Sequence, residues 1–547
     1  MSRPKRSDLP PGPPLPKAVQ TAIWSRQARR FLFACNDRYG DVFTLRIAYE
    51  GEWVMLADPD AVKQVFTGDP SVFHAGEGNH ILEPFLGPNS LLVLDEQPHM
   101  SQRKLLLPPF HGERMKAYRE TMREIAAAEI DSWPAGVPCK LRPRMQAITL
   151  EIILRTVFGA REGEGLAELR DALRYFLDLT TNPRLLLPVL LVGPHRAARL
   201  RPLRRRIERV DRLIYRQIAE RRRAADLAER DDILSLLAAA RHEDGSPMSD
   251  AEIRDELVTL LVAGHETTAT SLAWAMERLA RHPEKLARLH GEVEAGSDVY
   301  LTATIQETLR LRPVISIVVR RLTEPVEIGG YELPAGVAVT PSIYLVHRNP
   351  RIYPEPDRFL PERFLDNPPG TYTWIPFGGG VRRCLGAAFA QFEMAVVLEE
   401  LVRRREVRPA RSRPERVFRR AITETPRHDA EVVLSGAPDP PRFGHGGLGA
   451  TAPRLAVTRE DGASAGLGEG VERAQRPLGI GGCGAGDDSG ARPGGVRVEH
   501  DERVAGDHGV PVGEVEGDVT ERVARRREEP RRAGHVRRGR LEALHVR

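Results

Sequence analysis

The chain has 547 residues, of which 41% are hydrophobic, and its formal net charge is +5. This apolar content supports a sizeable core, and the mild positive charge does not indicate a nucleic-acid partner. The four cysteines, Cys35, Cys139, Cys384 and Cys483, show no CxxC spacing, so we expect no disulfide framework and a reducing cytosol.

The N-terminal part of the chain begins with extended and strand-forming sequence. Residues 1–7 are polar and no run of about 18 apolar residues follows them, so we expect neither a signal peptide nor a membrane anchor. Residues 8–16 are rich in proline, which favours an extended arm over a helix. Residues 42–47 and 53–57 predict the two strands of a hairpin, with Gly51 near the turn.

His99 and Arg103 form the first candidate binding pair. Their i, i+4 spacing places both side chains on one helix face, where both can donate hydrogen bonds to a single anion. The alternative interpretation is an ordinary polar histidine on the protein surface.

From about residue 112 to residue 290, apolar residues mostly recur with a helical period. Within this region, residues 185–192 are unusually apolar for a connection, and Arg196, Arg199 and Arg201 follow them. We expect this segment to pack into the core. The alternative is an entrance lid that touches a membrane surface.

Residues 263–268, Ala-Gly-His-Glu-Thr-Thr, lie inside a predicted helix from about 250 to 281. Gly264 costs such a helix about 1 kcal/mol relative to alanine. The two threonines can hydrogen-bond back to carbonyl groups and open the helix locally. The pattern indicates either a kinked core helix or a groove in which Thr267 supplies a hydroxyl and Glu266 a carboxylate.

Glu307 and Arg310 are a second candidate pair, and their i, i+3 spacing places them on one helix face. Short strand signals follow at 324–340, and Pro-Glu-Arg-Phe occurs at 361–364. Read alone, the pair is consistent with a surface ion pair that contributes less than about 1 kcal/mol.

Residues 377–386 read Phe-Gly-Gly-Gly-Val-Arg-Arg-Cys-Leu-Gly, and a strong helix former follows them. The glycines permit a tight turn. Cys384 therefore lies at a helix N-terminus, where the positive end of the helix and unpaired N–H groups favour a thiolate. A thiolate is a good soft metal ligand that leaves the other metal positions open. The alternative is a glycine-rich turn with an ordinary buried cysteine.

The composition changes after Leu434. Beyond Phe443 the chain contains no aromatic residue and no lysine, so it cannot bury enough apolar area to offset its ordering entropy. We expect one folded domain over residues 1–435 and a disordered Gly/Arg-rich tail over residues 436–547. The alternative is an arginine-rich interaction tail.

The loop matches Phe-x-x-Gly-x-Arg-x-Cys-x-Gly, the haem-binding signature of the cytochrome P450 family, at each fixed position. The proline-rich arm, His-x-x-x-Arg, the threonine-containing groove, Glu-x-x-Arg and Pro-Glu-Arg-Phe precede it in the family's order. Over residues 8–434 the chain resembles a soluble bacterial P450. The resemblance implies a mainly α fold with a minor β part, the cytochrome P450 fold, and haem b as cofactor.

The resemblance also implies roles for individual residues. Cys384 would be the iron ligand, and Phe377 would belong to the cofactor site. Gly264, Glu266 and Thr267 would act in catalysis, the last two by relaying protons when the O–O bond breaks. The side chains that would bind the haem propionates are His99, Arg103, Arg320 and Arg382.

The assignment of Arg320 depends on the alignment, and a further group of residues has an implied structural role. Arg320 adjoins Arg321, so a shift of one residue would exchange their roles. Glu307, Arg310 and Arg363 would form a buried network that fixes the loop before Cys384, which is a structural role.

The implied activity is monooxygenation, in which one atom of dioxygen enters a C–H or C=C bond and the other leaves as water. By position, the pocket is expected to draw on residues 73–92, 173–181 and 314–318, the helix before Gly264 and the turn near residues 422–423. These segments are mostly apolar, which favours a lipophilic substrate. Electrons would come from an external ferredoxin and its reductase, because the sequence contains no dinucleotide fingerprint or P-loop. We expect a cytoplasmic location.

The alternatives are a P450 that uses peroxide or does not oxygenate, and a non-catalytic haem-binding sensor. The Glu266–Thr267 pair argues against both.

Overall fold

The computed structural model describes residues 9–110, 113–159, 164–177, 192–368 and 370–436. Most of these residues are helical, and the strands form small sheets, so the predicted mainly α fold with a minor β part is confirmed. The helices are α1 (Lys17–Tyr39), α2 (Pro59–Thr67), α3 (Ala75–Gly78), α4 (Glu83–Leu86), α5 (Glu96–Leu106), α6 (Glu113–Asp131), α7 (Leu141–Phe158), α8 (Glu164–Leu177), α9 (Pro194–Ala198), α10 (Arg201–Arg222), α11 (Ile233–Ala239), α12 (Asp250–Ala280), α13 (Pro283–Glu294), α14 (Val299–Leu311), α15 (Ile343–Val346) and α16 (Ala387–Arg404).

The strands contribute a five-stranded sheet, a three-stranded sheet and two hairpin ribbons. They are β1 (Val42–Ile47), β2 (Gly51–Leu56), β3 (Phe73–His74), β4 (Pro138–Lys140), β5 (Arg320–Leu322), β6 (Val326–Ile328), β7 (Tyr331–Leu333), β8 (Ala338–Pro341), β9 (Val407–Pro409), β10 (Val417–Arg420), β11 (Thr423–Pro426) and β12 (Glu431–Leu434).

The five-stranded sheet has the order β1-β2-β8-β5-β3. β1 and β2 form the predicted hairpin, and its turn holds Tyr49 and Gly51 at positive φ angles of 67° and 90°. β2 and β8 are parallel, with Trp53 opposite Ala338, and the other pairs are antiparallel. In the three-stranded sheet, β12 pairs with both β4 and β9, which ties the end of the described chain to its middle.

The 31-residue helix α12 passes through the core. It begins with a capping box, in which the Ser249 hydroxyl accepts from the Glu252 N–H and the Glu252 carboxylate accepts from the Ser249 N–H. Most of its residues are buried, and it packs against α7, α14 and α16. Because a helix of this length spans about 46 Å, α12 can contact helices that lie far from one another.

The predicted network of Glu307, Arg310 and Arg363 is present. Arg310 donates to Glu307 from Nε at 2.6 Å and from Nη2 at 2.9 Å, and neither side chain has exposed surface. Arg363 adds a third contact to Glu307 at 3.3 Å. Arg310 also donates to the carbonyl of His347, and the His347 ring accepts from the Ile375 N–H at 2.8 Å. The network thereby reaches the chain that leads into the cysteine loop.

Two predicted segments lie mainly outside the described residues. These are the apolar segment 185–192, of which only Val192 is described, and the tail over 437–547. Within the described ranges, no helix combines the length and the apolar character that crossing a bilayer requires.

Candidate active site

The middle of α12 borders an open space. Ala263 is exposed and Gly264 and Thr267 are partly exposed, although the helix is otherwise largely buried. Positions 263 and 267 are one turn apart and share a face. This face includes two of the three predicted catalytic residues, Gly264 and Thr267.

The Thr267 hydroxyl donates to the carbonyl oxygen of Ala263 at 2.6 Å, as the sequence predicts. The helix is nevertheless continuous through this turn, so the expected local opening is not seen. A Cβ atom at position 264 would lie 2.9 Å from Cδ1 of Ile153, so the glycine allows α7 to approach closely.

Glu266 does not face the open space. It is buried, and its carboxylate accepts from Arg142 at 3.3 Å, from Thr270 at 3.4 Å and from Gln146. Burial raises the pKa of Glu266, while Arg142, Gln146, Arg420 and Thr270 lower it. The carboxyl group is therefore turned towards α7, although it is adjacent in sequence to Thr267.

The cysteine loop is bent against α2. Gly380 has a φ of 65°, and a Cβ atom there would clash with the carbonyl oxygen of Phe66. A Cβ atom on Gly379 would clash with the Phe66 ring. The predicted tight turn is therefore required by both backbone conformation and space.

Cys384 follows this turn and precedes α16. Its N–H donates to the Phe377 carbonyl at 2.9 Å, which closes the loop. The partly buried Phe377 ring packs against Trp374, with a centroid distance of 6.0 Å. The Cys384 side chain is exposed, whereas the other described cysteines, Cys35 and Cys139, are buried.

The expectation that the helix terminus favours a thiolate is met only in part. Protein atoms surround the Cys384 sulfur on most sides even though solvent reaches it, and this burial raises the thiol pKa. The Gly386 N–H and the charges of Arg383 and Arg103 lower it. Burial is the largest of these influences, so the protein environment raises the pKa of the thiol overall, whereas a bound metal would favour the thiolate.

The four predicted anion-binding residues converge. Burial, together with the positive charges of Arg382, Arg103 and Arg320, lowers the pKa of His99 to about 3, which indicates that these three charges lie near the His99 ring. The pKa of Arg320 falls to about 10 through burial and the charge of Arg382. Arg321 instead donates to the carbonyls of Gly336 and Glu50, so Arg320 is the member of the pair that joins the cluster.

His99, Arg103, Arg320 and Arg382, which we call the basic cluster, have few acidic partners among the described residues. Arg382 donates to Asp95 at 2.5 Å and to the carbonyls of Leu91 and Leu94. Arg103 donates to the Arg383 carbonyl at 2.9 Å, which links the cluster to the cysteine loop. A group with anionic carboxylates would relieve the mutual repulsion of these cations. The cluster and the exposed Cys384 together fit the haem that the resemblance implies.

Helix α16 connects the cysteine loop to the open turn of α12. Glu393 of this helix is buried, and Thr268 hydrogen-bonds to it from α12. The helix that begins after Cys384 therefore packs beside the open turn at Thr267.

Among the described residues, no group of three or more His, Cys, Asp or Glu side chains could hold a metal, which leaves Cys384 as the candidate protein ligand.

Sequence reasoning did not identify Asp95, Arg142 and Gln146. Asp95 could have been found, because it is the N-cap residue of α5 and lies four residues before His99. Arg142 and Gln146 carry no local signal, since they reach Glu266 from a separate helix.

Comparisons with known proteins show the family to which the chain is similar. The family model described as Cytochrome P450 matches residues 10–431. A Mycobacterium bovis protein provisionally named cytochrome P450 135B1 is 46% identical over 447 residues, which cover 80% of this chain and 94% of that protein. A Mycobacterium tuberculosis protein provisionally named cytochrome P450 135A1 is 40% identical over 452 residues, covering 81% and 98%.

A solved structure supports the fold. The retinoic acid-bound cyanobacterial CYP120A1 superposes with a TM-score of 0.67 at 24% sequence identity, covering 78% of this chain and 99% of that one. This level of identity carries the fold alone, and it confirms the P450 fold predicted from the sequence.

We expect Gly380→Ala to destabilise the protein by about 2–4 kcal/mol, because it adds both a clash and an unfavourable backbone conformation. The matched control is Gly386→Ala, since Gly386 has a φ of −86° and no atom within 4 Å of an added Cβ. Urea unfolding measures the difference between the two variants. Equal midpoints for both would contradict the assigned role of the Gly380 turn.

Proposed function

Because the chain belongs to the cytochrome P450 family of haem b monooxygenases, we propose that it oxygenates a lipophilic substrate with electrons from an external ferredoxin. The observation that carries this proposal is the Thr267 hydroxyl at the open turn of α12, beside a buried carboxyl group. The proposed haem domain spans residues 1–435, and residues 436–547 are proposed to be a dispensable tail.

Haem, when bound, supplies the iron at which dioxygen is reduced and one oxygen atom passes to substrate. The residues proposed to hold it are Cys384, through its sulfur, and the basic cluster, through the propionates. Phe377 supports the cysteine loop by accepting from the Cys384 N–H. Gly264 lets α7 lie close to α12 without a side chain filling the open turn.

Thr267 and Glu266 have different proposed parts in proton transfer. The Thr267 hydroxyl is positioned at the open turn by its bond to Ala263. Glu266 is the proposed proton carrier behind that turn, and burial raises its pKa, which favours uptake of a proton. The side chain of Glu266 must leave its bonds to α7, or use an intervening water, to deliver a proton to the open side.

Apolar side chains near the open turn support a lipophilic substrate. Leu260 shares the face of Gly264 on α12 and is partly buried. Leu82, Phe85 and Leu92 are likewise only partly buried, and they belong to the same hydrophobic cluster. Large apolar surface that is incompletely covered by protein favours contact with an apolar ligand.

We expect Cys384→Ser to remove the thiolate-ligated spectrum, because oxygen replaces the only exposed cysteine sulfur of the described chain. Reduced protein exposed to carbon monoxide should lose the long-wavelength Soret band. Cys139→Ser, at a buried cysteine, is the control and should retain it. A mutant Cys384→Ser protein that keeps the band would show that another residue is the ligand.

We expect Thr267→Ala to retain haem but to convert more of the consumed NADH into hydrogen peroxide, because the hydroxyl at the open turn is lost. Thr156→Ala is the matched control, since Thr156 makes the same bond to its i−4 carbonyl inside α7. Peroxide formed per NADH oxidised, with a surrogate ferredoxin, measures the effect. Equal coupling in both variants would exclude Thr267 from proton transfer, and turnover with peroxide alone would favour the peroxide-driven alternative.

The sequence predicts a basic ferredoxin surface in which Lys104 and Arg383 are the freer charges and residues 403–405 add to them, and the structure narrows this set. Lys104 is paired with Glu243 at 2.7 Å. Arg403 and Arg404 are paired with Glu399 and Glu400 on their own helix. Arg383 remains the exposed cation nearest to Cys384 in sequence, so it is the main candidate for contact with an acidic ferredoxin.

We expect Arg383→Glu to slow reduction by ferredoxin roughly tenfold while leaving substrate binding unchanged, since complementary charge chiefly affects association rate. Arg26→Glu, on the exposed side of α1, is the control. Stopped-flow reduction across ionic strengths near 0.1 M, where the screening length is about 10 Å, measures the effect. A flat salt profile, with equal rates in both variants, would place the docking surface elsewhere.

The proposal includes contact with a membrane surface near α9. Arg196, Arg199 and Arg201 are exposed there, and Val192 and Leu200 are each 41% exposed. Cations beside apolar side chains suit an anionic bilayer surface. The protein should co-sediment with vesicles that contain anionic lipid, and Arg199→Glu combined with Arg201→Glu should weaken this binding. Equal sedimentation with neutral vesicles would contradict an electrostatic contact.

A further inference from the structure

A buried cluster of charges connects Glu266 to the far end of the described chain. Arg142, from α7, reaches Glu266 with Nη1 at 3.3 Å and Asp429 with Nε at 2.7 Å. Arg420, from β10, donates to Asp429 at 3.2 Å. The cluster thus contains two acids and two bases from four parts of the chain.

Arg142 is shared unequally between its two acids. Its contact with Asp429 is the shorter one, and the Arg142 N–H also donates to the Asp429 carbonyl at 3.0 Å. Side-chain exposure is only 6% for Arg142 and 10% for Glu266, so solvent screens their interaction weakly. The position of the guanidinium group therefore determines how strongly Glu266 is held and in which protonation state.

The backbone at Asp429 is itself unusual. Asp429 and the following Ala430 have φ angles of 61° and 55°, in the left-handed region. Asp tolerates this region, but Ala rarely adopts it. Such consecutive residues persist where surrounding contacts impose them, and here the contacts are those of Asp429 with Arg142 and Arg420.

We propose that Asp429 is a positioning residue for proton transfer, because it draws Arg142 away from Glu266 and so keeps the Glu266 carboxyl group able to carry and release a proton. The proposal rests on the proton-transfer role of Glu266 described above. Asp429 contacts Arg142 and Arg420, so it acts on Glu266 through these two partners.

The groups that face Glu266 predict opposite effects of two substitutions. Arg142 and Gln146 face it from α7, Thr270 from its own helix, and Arg420 from β10. In Asp429→Asn, Arg142 keeps Glu266 as its only carboxylate partner, so the pKa of Glu266 falls. In Arg420→Gln, one nearby positive charge is lost and Asp429 is left to Arg142 alone, so the pKa of Glu266 rises.

The variants are suited to a comparison in the haem-loaded enzyme. Asparagine has the shape of aspartate and tolerates the left-handed region, so Asp429→Asn retains the turn. Glu431→Gln is the matched control, since Glu431 lies two residues away and pairs with Arg411 outside the cluster. Glu266→Gln identifies the infrared carbonyl band of protonated Glu266 by removing it.

The test titrates this infrared band and the pH profile of NADH consumption with a surrogate ferredoxin. We expect both midpoints to fall by about one pH unit in Asp429→Asn, to rise in Arg420→Gln, and to stay unchanged in Glu431→Gln. Absent shifts, or shifts in the same direction, would overturn the role of Asp429 even if Glu266→Gln slows NADH consumption. If Glu266→Gln leaves NADH consumption unchanged, the proton-transfer role of Glu266 fails first, and the role of Asp429 fails with it.

Discussion

The buried ion pair of Glu307 and Arg310 is the interaction on which the geometry of the cysteine loop depends. Neither side chain has exposed surface, so each charge relies entirely on protein partners. Glu307 also accepts from the Leu360 N–H, and Arg310 donates to three backbone carbonyls between residues 347 and 358. Loss of one partner from such a pair typically costs about 3–5 kcal/mol. These hydrogen bonds hold the irregular segment between residues 347 and 360 in one conformation, although this segment forms few backbone hydrogen bonds of the helix or sheet type.

The cofactor cluster obeys a different constraint. His99, Arg103, Arg320 and Arg382 lie close enough that their charges disfavour one another, and among the described residues Asp95 is the acid that acts on both Arg320 and Arg382. The structural network around Glu307 is balanced by protein groups, whereas in this cluster Asp95 offsets only part of the positive charge, which is consistent with the proposed binding of an anionic group. The haem propionates of the family supply such charge. Cofactor binding and local stability are therefore coupled at the basic cluster.

Much of the site could be predicted because its motifs are local in sequence. The glycine turn and the histidine and arginine on α5 follow from short spacings within a loop or helix, whereas the buried network at Glu307 is implied by the family resemblance. The orientation of Glu266 could not be predicted, because Arg142 and Gln146 approach from another helix. The pairing of Lys104 with Glu243 spans 139 residues, so spacing could not reveal that this charge is already occupied. Periodicity predicts helices over residues 112–290 and the family resemblance implies the fold class, but strand pairings such as β4 with β12 depend on contacts between distant parts of the chain.

The neighbours Glu266 and Thr267 show why proximity in sequence is a poor guide to a proton path. Successive residues of a helix point about 100° apart, so a helix with one open face exposes only one of them. The Thr267 side chain lies on the open face of α12, whereas the Glu266 carboxylate is directed towards α7, where it accepts from Gln146. The hydroxyl can therefore respond to whatever occupies the open turn, while the carboxyl group responds to charges on α7 and at the end of β10. The charges that act on the carboxyl group of Glu266 therefore lie on α7 and β10, apart from the open turn at Thr267.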